Sequence, residues 1–153
     1  LEERSIISCS TLYTSPDMNV FGYGRLASDA ARFGDAIGVN AIGAPLVQDG
    51  KMTIWLGFRV AESVPGNTYS VTVHVLDGGG QLAAQSDFPL PQADYSLPPL
   101  PQSCQLVQIP VEALAAGDYR VELLIYNWAT GERLTLNDGS GEALNLADVA
   151  INR

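Results

Sequence analysis

"AAGDYRVELLIYNWATGERL" (residues 115–134) is the stretch on which the fold turns. A Gly-Asp-Tyr step leads into an apolar run, and the run ends in a short polar tip carrying Trp128. In sandwiches of two β-sheets, a tyrosine near the start of a late strand can fold its ring back over the preceding connection. Its hydroxyl then hydrogen-bonds the backbone a few residues upstream. Leu114, two small residues, Gly117, Asp118 and Tyr119 supply the tight turn, the ring and the pairing edge that such a corner needs. Tyr119 is therefore predicted to be a structural corner, and the following residues a strand.

Upstream the same period repeats. "KMTIWLGFRV" (51–60) sets Met52, Ile54, Leu56, Phe58 and Val60 on one face, with Thr53, Trp55 and Arg59 opposite. "TYSVTVHVLD" (68–77) sets Tyr69, Val71, Val73 and Val75 inward and Ser70, Thr72 and His74 outward. The "DGGG" at 77–80 reverses the chain into "QLAAQSDF", a hairpin signal. Pro89, Pro91, Pro98, Pro99 and Pro101 then mark an extended crossover, because proline cannot donate to a ladder. Beyond it, "CQLVQIPV" alternates again, "DYRVELLIYNW" and "ERLTL" read as a hairpin, and "EALNLADVAI" reads as a last strand. Near the N-terminus, residues 5–13 suit a strand, and "SDAARFG" suits a short helix capped by Ser28 and ended by Gly34. About eight strands with one long crossover predict an all-β, Ig-like, two-sheet antiparallel sandwich over residues 33–153. Residues 1–32 are expected to form an irregular N-terminal extension packed on it.

The bulk properties agree. A chain of 153 residues is the size of one domain. It is 46% apolar and only 16% charged, which excludes a disordered or charged tail. A net charge of −9 repels phosphate backbones and anionic membrane surfaces, so nucleic acid is not an expected partner. No stretch nears the roughly 20 apolar residues that span a bilayer. The sequence begins at Leu1 without a leader, so it reads as a piece of something larger.

"FGDAIGVNAIGAP" (33–45), "YSVTVHVLDGGGQLAAQSD" (69–87) and "IPVEALAAGDYRVELLIYNWATGERL" (109–134) follow one another in an order that resembles a known family. It is the β-sandwich module appended to the C-terminus of bacterial membrane glycosyltransferases of the dolichyl-phosphate-mannose type. The resemblance covers residues 33–151. The chain departs from it at Phe58-Arg59, where such modules carry Trp-Arg, and lacks their Trp and Gly before the strand that begins at Cys104. What the resemblance implies is an extracytoplasmic accessory domain, tethered to the rest of a larger membrane-anchored chain and without chemistry of its own.

The residues themselves point away from catalysis. His74 is the only histidine and lies on a strand face, and Gly139-Ser140-Gly141 lacks the spacing of a nucleophile elbow. Asp77, Asp87, Glu132, Asp138 and Glu142 fall in turns and form no selected pair. The "NDGSGE" loop (137–142) departs from calcium-loop patterns, and neither a metal nor a cofactor is expected. Cys9 and Cys104 lack metal-ligand spacing and are read as a disulfide or as two buried thiols. A bond between them would stabilise by roughly 4 kcal/mol. Asn127, Trp128, Thr130 and Glu132 at the tip combine a flat ring with amide, hydroxyl and carboxylate, a set suited to a glycan. The competing readings make Trp128 a lid on the core or a residue that docks on a membrane partner. Three functions follow: a non-catalytic spacer or substrate-orienting domain, an autonomous carbohydrate-binding module using residues 127–132, or an adhesion or assembly domain that binds another protein by an open sheet edge.

Overall fold

The computed structural model describes residues 6–8, 31–41, 44–61, 63–91 and 102–152, and of residues 6–8 and 102–104 the backbone only. Two antiparallel sheets organise it. The first runs β1 (Ile6–Ser8), β8 (Gln102–Pro110), β5 (Lys51–Val60), β3 (Ile37–Ala41) and β2 (Ala31–Phe33), with β4 (Leu46–Gln48) also beside β5. The second runs β10 (Leu144–Ile151), β9 (Gly117–Asn127), β6 (Tyr69–Leu76) and β7 (Leu82–Pro89). The chain passes from the second sheet to the first between β7 and β8, across the proline-rich connection, whose residues 92–101 lie outside the described ones.

Strand alternation builds the core. Met52, Ile54, Leu56, Phe58 and Val60 of β5 are all buried, as are Val71, Val73 and Val75 of β6 and Val121, Leu123 and Ile125 of β9. Phe58 of the first sheet meets Phe88 of the second edge-on, with ring centroids 6.2 Å apart at 84°. This is the favourable T-shaped arrangement of two aromatic quadrupoles. The two layers therefore share one core.

Two local expectations are corrected, and one hairpin was not foreseen. The short helix does not form over its described part: Ala31–Phe33 is a strand pairing Val39 to Ile37. Pairing buries Phe33 at 2% exposure, and this long-range gain outweighs the local helix signals. Ser28 and Asp29 lie outside the described residues. "ERLTL" forms no strand, only single bridges from Arg133 to Tyr126 and from Leu136 to Phe33. It does fold back on the end of β9, with the Asn127 N–H donating to the Glu132 carbonyl and the Leu134 N–H to the Ile125 carbonyl, both at 2.8 Å. The rest of that edge is taken by β10, from Leu144 opposite Leu123 to Ile151 opposite Gly117. Finally, β4 and β5 form an unforeseen hairpin through Asp49 and Gly50, at φ +55° and +75°, the signature of a type I′ turn. No helix among the described residues is long and apolar enough to cross a membrane.

Candidate functional site

The strand β9 carries the corner at one end and the tip at the other. At its start, the Tyr119 hydroxyl donates to the Ala115 carbonyl at 2.7 Å, and the ring is buried. Gly117 sits at φ +153°, a backbone region that residues with a Cβ avoid, and lets the chain swing into the strand. Leu114 is half-buried, and its N–H donates to the Val111 carbonyl in the turn before it. From Tyr119 to Trp128 the strand extends by about 30 Å, so the corner and the tip are separate places on the molecule.

At the tip, Asn127 and Thr130 are engaged in the turn itself. Asn127 Oδ1 accepts from the N–H groups of Ala129 at 2.9 Å and Thr130 at 3.2 Å. Thr130 Oγ1 accepts from the Glu132 N–H at 3.2 Å. Trp128 is anchored to the loop between β5 and β6. Its indole N–H donates to the Asn67 carbonyl at 2.9 Å and its backbone N–H to the Thr68 carbonyl. Asn67 adopts φ +56°, a left-handed conformation that asparagine tolerates well. The indole is nevertheless 54% exposed, so Trp128 is not a lid on the core. The tip offers an outside ligand one anchored aromatic face and the exposed Glu132.

A second feature lies on the outer face of the second sheet. Cross-strand register places Asp87, Thr72 and Leu124 in one row, and Gln85, His74 and Glu122 in the next. Tyr126, opposite Ser70, and Arg133, bridged to Tyr126, follow on the other side. The short Thr72 and Leu124 sit among longer neighbours, leaving a cleft of about 240 Å³. Both floor residues face outward yet are buried, at 7% and 4% exposure. Among the described residues the Thr72 hydroxyl has no hydrogen-bond partner. His74 is half-buried rather than a plain surface residue. Burial lowers its pKa from the ordinary imidazole value most; Asp87 opposes this, Arg133 adds to it and Glu122 opposes it. The alternation of β6 assigned these residues to the outer face but carried no sign of a cleft. The signal was Leu124, a large apolar residue at an outward position of "VELLIYN".

The remaining predicted positions bring no further site together. In the 137–142 loop, Asp138 Oδ1 accepts from the Ser140 N–H at 2.8 Å, and hydrogen bonds from Ser140 hold this carboxyl below its ordinary range. Asn137 Nδ2 donates to the Gly34 carbonyl, tying the loop to the β2–β3 turn. Among the described residues no group of three or more His, Cys, Asp or Glu is arranged to hold a metal ion. The proposed disulfide lies outside the described residues, since Cys9 is not among them and Cys104 is described by its backbone alone. Trp55 is half-buried on the outer face of β5, opposite Leu106. No protein-family profile matches the chain, and no curated protein matches its sequence.

Proposed function

We propose that this chain is a non-catalytic, immunoglobulin-like accessory domain that acts outside the cytoplasm as part of a larger membrane-anchored protein. In this reading it presents its Trp128 end to a sugar-bearing substrate and helps to orient it. The observation that carries the reading is the state of Trp128. The indole N–H is held by the Asn67 carbonyl while more than half of the residue stays exposed. An indole fixed in this way loses little freedom on stacking against a sugar ring, so its binding cost is low.

The immunoglobulin-like assignment is supported by strand order. The β10-β9-β6-β7 sheet corresponds to G-F-C-C′, and Tyr119, at the start of the F-equivalent strand, bonds the backbone four residues upstream. The extracytoplasmic placement and the membrane-anchored partner rest on the resemblance of residues 33–151 to the glycosyltransferase-appended module.

The same indole supports a second reading, an autonomous carbohydrate-binding module. A glycan-array screen of the isolated chain beside Trp128→Ala tests both. Specific binding that the substitution abolishes establishes the tip as a glycan contact, and high affinity without other domains favours the autonomous module. A blank array from a folded sample removes the glycan contact and leaves a spacer.

A further inference from the structure

We propose that the cleft on the outer face of the second sheet is a binding site for one neutral, polyhydroxylated unit, a single sugar residue, which borders the tip loop at Gly131 but does not use the Trp128 indole. Thr72 and Leu124 form its floor, and His74, Asp87, Tyr126 and Arg133 its walls.

Its shape sets the size of the ligand. At about 240 Å³ the cleft lies below the range of pockets for drug-sized molecules, which begins at roughly 300 Å³. It accommodates one small ring and is open enough for that ring to belong to a chain.

Its charges set the chemistry. Asp87 carries a negative charge and Arg133 a positive one, and both line the same cleft. Both Asp87 carboxylate oxygens accept from Gln85 Nε2 at 3.2 Å, and Arg133 lies 3.6 Å from Glu142. An anion in the cleft would meet Asp87 and a cation would meet Arg133, whereas hydroxyl groups can donate to the one and accept from the other. A carboxylate retains lone pairs for further donors, and a guanidinium has five N–H groups for acceptors. The imidazole, one nitrogen a donor and the other an acceptor when neutral, suits the mixed polarity of a hydroxyl.

Thr72 supplies an independent reason to expect a ligand. It is more than nine-tenths buried, its hydroxyl is unpartnered among the described residues, and alternation turns it to the cleft because Val71 and Val73 point into the core. Rotation of χ1 by about 120° exchanges its methyl and hydroxyl positions, so a ligand seated above can provide the missing partner.

His74 is the only histidine, so its imidazole resonances report on this cleft alone. The test is an NMR titration of the full chain with mannose, galactose and N-acetylglucosamine, at a pH above about 7 where the ring is neutral. Glycine and inorganic phosphate serve as zwitterionic and anionic controls. The expected result is a saturable shift of the His74 signals by at least one sugar, with a Kd in the millimolar range. The shift should persist in Trp128→Ala and weaken about tenfold or more in Asp87→Ala and severalfold in Thr72→Val. An unchanged amide spectrum away from the cleft verifies folding of each variant. The proposal is overturned if no sugar moves the His74 signals, if only glycine or phosphate does, or if the response survives both cleft substitutions. It is equally overturned if Trp128→Ala abolishes the response, which would assign the binding to the tip. Failure of the tip to bind any glycan, beside an intact His74 response, would sink the tip reading alone.

Discussion

Tyr119 fixes the corner through one hydrogen bond and a buried ring. Its acceptor belongs to the exposed Ala115, so water replaces the hydroxyl readily, and Tyr119→Phe should cost only about 1 kcal/mol in urea unfolding. Thr72 presents the opposite case, a buried hydroxyl with no partner among the described residues. Thr72→Val keeps the shape and removes the desolvated group, so the free chain should gain about 1 kcal/mol of stability. A loss of stability on that change would mean that the hydroxyl is satisfied. His74 adds a pH dependence. Its lowered pKa means that the unfolded chain binds a proton more readily than the folded one between that value and about 6.5. The His74 contribution is therefore intact above about 6.5, declines as pH falls through this window, and levels off below the folded-state pKa. Asp87 from β7, Glu122 from β9 and Arg133 surround the ring. Subtracting the stability–pH curve of His74→Gln from that of the parent isolates this step, and identical curves would show that the imidazole titrates alike in both states. At this scale the residue types of the tip were legible in the sequence but their roles were not. Asn127 and Thr130 have the groups that bind sugars, and the same groups close tight turns.

Elements were legible where one strand periodicity acted alone and obscured where two pairings competed. The alternation of β5, β6 and β9 is plain in the residues, because each strand runs through the middle of a sheet and buries one whole face. Residues 28–34 carry a cap, an acidic first turn and a terminating glycine, all local signals. The gain from burying Phe33 against distant partners is invisible at that range. "ERLTL" begins the expected hairpin but does not extend it, since β10 holds the same edge of β9 from Leu123 to Gly117. The unforeseen Asp49-Gly50 turn does stand in the sequence, as a dipeptide between short runs, and was passed over. It also supplies a test of how tightly this hairpin is fitted. A Cβ on Gly50 would lie 3.2 Å from Glu112 Cβ, at a φ of +75°. Gly50→Ala should therefore destabilise by more than about 1 kcal/mol, from backbone strain with steric crowding added. A smaller loss would show that the hairpin shifts to make room.

The two sheets form one cooperative unit only if their shared core couples them, and the Phe58–Phe88 pair lies on that seam. Each sheet has its own tryptophan: Trp55 on the outer face of β5, and Trp128 just beyond the end of β9. Trp55→Phe and Trp128→Phe thus give two versions of the chain, each reporting by fluorescence on one sheet. With a single core, the two emission transitions should coincide with each other and with the far-ultraviolet circular dichroism, the behaviour of an all-or-none domain. Phe58 is fully buried, and Phe58→Ala should lower stability by about 3–5 kcal/mol, combining the forfeited transfer energy with a cavity between the layers. Because the cavity opens between both sheets, the two tryptophan transitions should move together by the same amount. If only the Trp55 transition moves, the sheets unfold separately and the ring pair at 6.2 Å does not couple them. The coupling also matters for function, because the tip and the cleft both lie on the second sheet. Their geometry is then held by the same core that holds the first.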